Sequence, residues 1–230
     1  MQRRAVTLAS GGVSLPGDLA IPEQATAVVV FAHGSGSSRR SPRNVQVAER
    51  LQVDGFGTLA FDLLTEVEAR DRGRVFDIAL LASRLEGTVG WLRGEKEAGD
   101  LEIAFFGAST GAAAALVAAA HLAGDVAAVV SRGGRPDLAG EALAAVTAPT
   151  LLIVGGADRQ VLELNRQAQD RMRCETRLEI VPGATHLFEE PGALERVAEL
   201  AAAWFADHAG RTPTPRPAPS PARPGWRSRR

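Results

Sequence analysis

The 230-residue sequence contains no tyrosine, only two methionines and a single cysteine, Cys174. One cysteine cannot form an internal disulfide, which favours an intracellular, reducing compartment. No H-x-H, HExxH or Cys–His cluster occurs, so no metal site is expected. A Gly-Lys-Ser or Gly-Lys-Thr is also missing, which excludes a P-loop, and we expect no cofactor.

The chain also lacks a strong net charge and a long hydrophobic run. Its formal net charge is −1, so nucleic acid is not an expected partner. The opening "MQRRAVTLASGG" has no apolar segment of signal-peptide length, and the longest apolar stretch, residues 112–120, is too short to cross a bilayer. We therefore expect a cytoplasmic protein that does not bind membranes. The sequence leaves open whether it is a monomer or a homodimer.

The C-terminal end differs in composition from the rest of the chain. Residues 211–230, "RTPTPRPAPSPARPGWRSRR", hold six Arg, six Pro and no acidic residue, which leaves 20 basic and 27 acidic side chains elsewhere. Few of these residues can contribute to a hydrophobic core. We predict one domain over residues 1–209 and a disordered tail over residues 210–230.

Six short apolar runs alternate with longer segments of helical pattern. Because the runs are continuously apolar, they are typical of parallel strands that are covered on both faces. The opening residues 6–22 instead alternate around Gly11-Gly12, which predicts one or two antiparallel edge strands. The expected fold is α/β, a three-layer α/β/α sandwich with a mostly parallel sheet. The predicted strands cover 27–35, 57–64, 101–109, 126–134, 150–158 and 177–186, and the helices 43–54, 74–94, 110–123, 137–145, 160–171 and 190–208.

A serine between two glycines stands where a predicted strand meets a predicted helix, in "FFGASTGAAAAL". A nucleophile at such a junction needs a sharp backbone turn, and Gly107 and Gly111 remove the Cβ atoms that would collide there. The alternative is a tight turn with an incidental serine. Because strand and helix flank the motif as it requires, we predict that Ser109 is a nucleophile.

Two further residues follow later predicted strands in the chain order Ser, Asp, His. Asp158 ends the run "TLLIVGGAD", and His186 lies in the loop "VPGATHLFEEPG". Considered separately, Asp158 is a good helix N-cap and His186 an ordinary loop histidine. Their joint order after separate strands favours a catalytic triad, in which His186 is the base and Asp158 orients it.

The loop "FAHGSGSSRR" follows the first strand of the parallel part and predicts an oxyanion hole. We expect the N–H groups of Ser35 and Thr110 to be the donors, with Gly34 as the next candidate. A dinucleotide-binding loop is the alternative, but "GSGSSR" lacks the third glycine of G-x-G-x-x-G.

These segments, together with "GDLAIP", "FDLLT" and "LLIVGGAD", resemble the α/β-hydrolase superfamily, and more narrowly the dienelactone hydrolase-like group. The likeness covers roughly residues 5–208. Dienelactone hydrolase proper uses a cysteine nucleophile, whereas this chain has Ser109, and Cys174 lies on a helix-to-strand connection. The resemblance therefore implies a serine hydrolase that cleaves small carboxylic esters. Little chain separates Ser131 from Thr150, so no large lid is expected.

Four residues after strand ends are candidates for substrate binding: Arg132, Arg135, Asp62 and Thr65. An arginine there, or Arg39 or Arg40, has the forked geometry that binds a carboxylate or phosphate. A solvated or loop-stabilising arginine is the structural alternative. The expected partner is a small-molecule ester; a thioesterase, an amide hydrolase and a non-catalytic binding protein with this fold remain open.

Overall fold

The structure is a computed structural model and describes residues 1–210, so the predicted tail lies outside the described residues. The elements below all belong to this part of the chain. The strands are β1 (Gln2–Ser10), β2 (Val13–Ile21), β3 (Ala27–Ala32), β4 (Gly57–Phe61), β5 (Glu102–Ala108), β6 (Ala128–Arg132), β7 (Thr150–Gly155) and β8 (Thr176–Val181). The helices are α1 (Pro42–Val53), α2 (Arg72–Val75), α3 (Ile78–Gly94), α4 (Thr110–His121), α5 (Arg159–Arg171) and α6 (Ala193–Ala209). Two 3-10 segments cover Glu68–Arg70 and Pro136–Ala145.

All of these strands join one sheet, in the order β1-β2-β4-β3-β5-β6-β7-β8. The pairs from β4 to β8 are parallel, whereas β1 pairs antiparallel with β2 and β2 with β4. The β1–β2 turn has Gly11 and Gly12 at φ +56° and +79°, a conformation that side chains other than glycine's disfavour. The predicted antiparallel edge is therefore confirmed, with two strands.

Helices cover both faces of the sheet. The apolar side chains of α1 and α6 pack on one face, and those of α3, α4 and the Pro136–Ala145 segment pack on the other. All residues of β3, β5, β6 and β7 are buried except Glu102 at the start of β5, which explains their almost continuously apolar sequences. The three-layer α/β/α prediction is confirmed.

Two predicted helices differ from the structure. The helix expected over 74–94 is divided at Phe76–Asp77, and α3 begins where the Asp77 carboxylate accepts a hydrogen bond from the Leu80 N–H at 2.9 Å. The helix expected over 137–145 is a 3-10 segment interrupted at Gly140, whose φ is +55°. Local capping and backbone geometry decided both cases, and an apolar pattern does not reveal either.

The carboxyl ends of the parallel strands meet at one edge, called the carboxyl edge below. Residues 133–149 between β6 and β7 contain only the Pro136–Ala145 segment, so this connection forms no large lid over the edge. In the part of the chain that the structure describes, no helix has the length and apolar character needed to span a bilayer.

Candidate active site

Ser109 lies at the sharp junction between β5 and α4. Its φ of +51° and ψ of −121° fall in a region that residues with a side chain rarely adopt. Two neighbouring backbone groups hold the turn: the Ser109 N–H donates to the Arg132 carbonyl at 3.3 Å, and the Arg135 N–H donates to the Ser109 carbonyl at 3.1 Å. The tertiary structure thus maintains a strained serine at the carboxyl edge.

The glycines on either side of Ser109 are required by close backbone contacts. A Cβ at Gly107 would collide with the backbone of Ala112, and one at Gly111 would collide with the carbonyl oxygens of Ala32 and His33. Their absence lets α4 begin directly against β3 and β5. Because this helix start carries free N–H groups and the positive end of the helix dipole, it can stabilise negative charge next to Ser109.

Asp158 and His186 are joined by a hydrogen bond. The distance from His186 Nδ1 to Asp158 Oδ2 is 2.7 Å. Since a carboxylate only accepts, Nδ1 carries the proton of this bond, and the neutral imidazole in this tautomer has its lone pair on Nε2. Asp158 also occupies the N-cap position of α5, but its side chain caps no backbone N–H there. The carboxylate therefore binds the imidazole rather than capping the helix.

The loop that carries His186 is anchored beside Asp158. The Ala157 N–H donates to the Ala184 carbonyl at 2.9 Å, and a Cβ at Gly155 would collide with that same carbonyl. Farther along, Glu190 Oε1 accepts from the Thr185 N–H at 3.0 Å. Hydrogen bonding to Thr185 lowers the pKa of Glu190, so its carboxylate stays ionised. These contacts explain why residues so distant in sequence as 158 and 186 come together.

Ser109 and His186 flank the same short loop without bonding to each other. Within residues 1–210 the Ser109 hydroxyl has no hydrogen-bond partner. Gly133, between the two backbone groups that hold Ser109, faces His186: a Cβ placed there would be 3.6 Å from the His186 Cε1 atom. The His186 side chain is 39% exposed. The imidazole thus lies beside the Ser109 turn and is partly open to solvent.

The loop of residues 33–40, called the oxyanion loop below because it is predicted to form the oxyanion hole, differs from one expectation. The Ser35 N–H, the preferred donor from the sequence, donates to the Thr110 hydroxyl at 2.9 Å, so Ser35 is not a free donor in this structure. The Gly34 N–H, by contrast, makes no hydrogen bond within the described residues, and a Cβ on Gly34 would lie 3.0 Å from the Ser109 Cβ. The N–H of Thr110, the first residue of α4, is also uncommitted. The backbone N–H groups of Gly34 and Thr110 are therefore the donors that remain free beside Ser109 among the described residues.

His33 stabilises this loop through hydrogen bonds of both its ring nitrogens. Its Nε2 accepts from the Leu63 N–H at 3.1 Å, and its Nδ1 lies 3.0 Å from the Gly34 carbonyl. The first contact requires an unprotonated Nε2, so His33 is neutral and donates from Nδ1 to Gly34. Burial lowers the pKa of His33 below 6.5, against the opposing effects of Gly34 and Asp62, which agrees with this tautomer. Sequence analysis treated His33 only as part of the turn and missed this role.

A cavity of about 730 Å³ opens beside the oxyanion loop and contacts Gly34, Ser35 and Thr110. We call this region, formed by residues 33–40 and 62–77, the cavity side of Ser109. Asp62 and Thr65 line the cavity, as expected of substrate-binding residues. Asp62 is nevertheless occupied by Arg39, whose backbone N–H and guanidinium both donate to its carboxylate. The apolar part of the wall contains no Phe or Trp and is formed by Pro16, Leu63, Leu64, Ala69, Val75 and Leu81.

A buried ion-pair network anchors that wall, and it too was missed from the sequence. The Glu68 carboxylate accepts from the Thr65 N–H at 2.9 Å, from Arg84 Nη2 at 3.0 Å and from Arg74 Nη1 at 3.1 Å. Arg84 also donates to the Ser10 carbonyl at the β1–β2 turn. Burial alone would raise the pKa of Glu68, but the bonds from Thr65 and the two arginines outweigh it and lower the pKa. The network fixes residues 65–74 to the sheet.

The opposite region, residues 132–137 and 182–192 with Asp158, is called the histidine side. Arg132 is buried here, only 7% exposed, and does not line the cavity. Its guanidinium lies 6.0 Å from the centre of the Phe188 ring, and Nη2 is 3.5 Å from Asn44 Oδ1. Burial, and to a smaller extent the charge of Arg43, lowers the pKa of Arg132 to about 10. This placement gives no support to the predicted substrate contact.

The other candidate arginines have different surroundings. Arg135 forms a two-pronged ion pair with Asp137, at 2.8 and 2.7 Å, and lies outside the cavity, so its predicted substrate contact also lacks support. Arg39 is held by Asp62 and Asp18. Arg40 lines the cavity and forms no ion pair with any residue that the structure describes. Of the four, Arg40 alone combines a cavity position with an uncommitted charge.

Asn165 is a third residue that the sequence analysis did not identify. Its side chain is fully buried, and Nδ2 donates to the Gly134 carbonyl at 3.0 Å and to the Val161 carbonyl at 2.8 Å. Gly134 directly precedes Arg135, whose N–H binds Ser109. A polar residue in the buried stripe of α5, between Val161 and Ala168, is the sequence signal that would have indicated it.

Among residues 1–210, no group of three or more His, Cys, Asp or Glu side chains has an arrangement that would hold a metal ion.

Residues 15–208 match the model of the dienelactone hydrolase family. The crystal structure of dienelactone hydrolase from Anabaena variabilis ATCC 29413 is similar, with 55% identity, a TM-score of 0.88 and coverage of 90% of this chain and 98% of that one. Est1E from Butyrivibrio proteoclasticus has the same fold at 17% identity, with a TM-score of 0.76 and 90% and 99% coverage.

A curated Mycobacterium tuberculosis (strain ATCC 25618 / H37Rv) protein named "Putative phosphoribosyl transferase" is 60% identical over 203 residues. The match covers 88% of this chain but 46% of that protein. The chain thus spans about half the length of this curated relative, and the relative's name describes a longer protein.

Proposed function

Because the chain belongs to the dienelactone hydrolase family, we propose that this hydrolase cleaves small carboxylic esters through an acyl-enzyme on Ser109. The observation that carries the proposal is the 2.7 Å hydrogen bond between His186 and Asp158 next to the strained turn of Ser109. A histidine base, an orienting carboxylate and a partly exposed serine hydroxyl are the three groups that acyl transfer to water needs.

In the proposed reaction, His186 Nε2 takes the Ser109 proton as Oγ attacks the ester carbonyl. The tetrahedral intermediate collapses when the protonated His186 gives this proton to the departing alcohol. A water molecule then attacks the acyl-enzyme and transfers a proton to His186, and Ser109 regains that proton as the acid leaves. Asp158 keeps the Nδ1 proton in place and stabilises the imidazolium in both steps.

The lack of a Ser109–His186 hydrogen bond in the structure is compatible with this role. Catalytic hydrogen bonds are often long or poorly aligned before substrate binds. His186 lies on a loop and is partly exposed, while its Nδ1 is fixed by Asp158. We propose that a rotation of the Ser109 or His186 side chain brings the two groups together when substrate binds.

The backbone N–H groups of Gly34 and Thr110 are the proposed donors to the oxyanion. Both are uncommitted, and both adjoin Ser109. Each such donor typically contributes about 10²- to 10³-fold to the rate. A carbonyl that points its oxygen at them, with its leaving group toward His186, extends its acyl part into the cavity side.

The cavity suggests the kind of acyl group. Its volume of about 730 Å³ is within the usual range for small-molecule sites, and its apolar wall is aliphatic. We therefore propose small esters with an aliphatic acyl part as substrates. Because residues 133–149 form no large lid, the site is open to substrates that approach from solvent.

Other activities are less well supported. Thioesters and amides could react on the same groups, and a non-catalytic binding protein would not require the His186–Asp158 pair. The name of the mycobacterial relative is not transferred, since this chain spans under half of that protein. A cytoplasmic location is proposed only from the single cysteine, Cys174.

A fluorophosphonate probe tests the proposal directly. We expect it to label the wild-type protein at Ser109 and to leave Ser109→Ala unlabelled. A panel of p-nitrophenyl and CoA esters should show turnover that Ser109→Ala reduces by several powers of ten. Adding His186→Ala to that variant should cost little more, because the residues act as a unit. Full turnover by Ser109→Ala would refute the mechanism.

A further inference from the structure

We propose that the side-chain hydroxyl of Thr110, and not the backbone N–H of Ser35, is the third donor to the oxyanion. This inference rests on the proposed acyl transfer at Ser109. It assigns a direct catalytic contact to a side chain that sequence analysis considered only for its backbone.

The Thr110 hydroxyl accepts one hydrogen bond and, among the described residues, donates none. Its oxygen accepts from the Ser35 N–H at 2.9 Å, and the side chain is almost fully buried, with 3% of the residue exposed. Among the described residues, nothing accepts a hydrogen bond from this hydroxyl. A buried hydroxyl therefore retains an unused proton in the wall of the substrate cavity.

Thr110 also has the right position in the chain for such a contact. Thr110 directly follows Ser109, and its backbone N–H is one of the proposed oxyanion donors. In any threonine, only two carbon atoms separate the hydroxyl oxygen from the backbone nitrogen. The Thr110 hydroxyl also lines the cavity beside Gly34, so we place it within reach of an oxygen that accepts from the Thr110 N–H.

The bond from Ser35 also orients and strengthens the donor. Because the Ser35 N–H occupies one lone pair of the Thr110 oxygen, the O–H bond must point in one of the remaining directions. Hydrogen bonds in a chain polarise one another, so the Ser35 dipole makes the Thr110 proton a better donor. Ser35 thus acts through Thr110 as a positioning residue.

The opposite interpretation predicts an effect of opposite sign. If the Thr110 hydroxyl merely occupied a donor that substrate needs, its removal would free the Ser35 N–H and raise the rate. Comparing Thr110→Val, which keeps the shape without the hydroxyl, with Thr110→Ser, which keeps the hydroxyl, separates the two interpretations.

The experiment measures kcat and KM of these variants on p-nitrophenyl butyrate, together with inhibition by butylboronic acid. The boronate forms a tetrahedral, negatively charged adduct that imitates the intermediate. We expect Thr110→Val to lower kcat by about 10²-fold with little change in KM, and to weaken boronate inhibition by a similar factor. Thr110→Ser should restore most of both.

Thr88→Val is the matched control. It removes another buried threonine hydroxyl, which donates to the Arg84 carbonyl within α3 at 2.9 Å, away from the site. Its kcat should equal that of the wild type. The melting temperatures of all variants show whether a loss of rate follows from a loss of folding.

The outcomes distinguish this inference from the proposed function. If the wild type is active and labelled at Ser109 but Thr110→Val keeps or exceeds its kcat, the Thr110 inference is wrong and the serine mechanism stands. A low kcat that Thr110→Ser does not restore would also overturn it. If Ser109→Ala remains fully active, the proposed function itself fails.

Discussion

The two sides of Ser109 are built differently. On the cavity side, loops 33–40 and 62–77 enclose a space of about 730 Å³, and their polar groups bind mainly one another. On the histidine side, a hydrogen bond of 2.7 Å joins His186 to Asp158, and separately the Arg135 N–H donates to the Ser109 carbonyl at 3.1 Å. The cavity and the His186–Asp158 pair thus come from separate segments of the chain, so we expect that each can be altered without the other.

The largest expected effect concerns the histidine side. Asp158→Asn should lower kcat about 10⁴-fold, because an amide cannot hold the imidazole in the tautomer that leaves Nε2 free. Folding should be unaffected, since Asp158 caps no backbone group of α5. Steady-state kinetics and thermal unfolding measure the two effects. Asp137→Asn, which alters a carboxylate paired with Arg135, is the control. A kcat for Asp158→Asn near the wild-type value would remove Asp158 from the mechanism.

On the cavity side, we expect substitutions in the Glu68 network to lower the free energy of unfolding. Glu68→Ala should lower the free energy of unfolding by about 3 kcal/mol, because it leaves the buried Arg84 guanidinium without its carboxylate. Urea unfolding at pH 7 measures this loss. Arg196→Ala, which breaks an exposed pair with Glu199, should cost about 0.5 kcal/mol at most. Equal losses in the two variants would mean that the network does not anchor the wall.

The Glu68 network also predicts a pH dependence. The pKa of Glu68 is lowered in the folded state, so its contribution to stability is present above the ordinary value of 4.5 and disappears as pH falls through the folded value. In Glu68→Gln, which has a similar shape without the charge, this part of the acid-induced loss should be absent. Identical slopes of stability against pH in the wild type and in Glu68→Gln would contradict the assignment.

A smaller effect should separate substrate selectivity from catalysis. Leu64 is buried in the cavity wall, so Leu64→Phe should reduce the space for the acyl part. We expect activity on a p-nitrophenyl octanoate to fall about tenfold relative to the acetate. Leu138→Phe, an exposed position in the Pro136–Ala145 segment that does not line the cavity, should leave this ratio unchanged. If only Leu138→Phe changed the ratio of octanoate to acetate activity, the acyl part would have to bind near Leu138 and not in the cavity.

The smallest expected effect concerns Arg132. Since this buried guanidinium has no carboxylate partner within residues 1–210, Arg132→Met should raise the free energy of unfolding by about 1 kcal/mol. Urea unfolding tests this value, with Arg135→Met as the exposed counterpart. Neutral and anionic esters should be affected equally. If Arg132→Met lost activity only on the anionic ester, Arg132 would have to contact the substrate after all.

Much of this protein follows from its sequence. Continuous apolar runs predicted the parallel strands, because a strand covered on both faces has no polar side, and Gly11-Gly12 predicted the edge hairpin. The Gly-x-Ser-x-Gly pattern placed Ser109 at a sharp turn, because only glycine avoids the collisions seen at 107 and 111. These signals are local or periodic, so they can be recognised without knowing which segments are neighbours.

What only the tertiary structure decided is how polar groups from distant segments pair. The sequence offered Asp158 as a cap or as a partner of His186, and the loop contact between Ala157 and Ala184 determined the second. It also offered Ser35 as a free donor and Arg132 as a substrate contact, whereas the fold gave the Ser35 N–H to Thr110 and buried Arg132 beneath Phe188. The reason is physical: a hydrogen bond depends on distances of a few tenths of an ångström, which are set by packing and not by residue type.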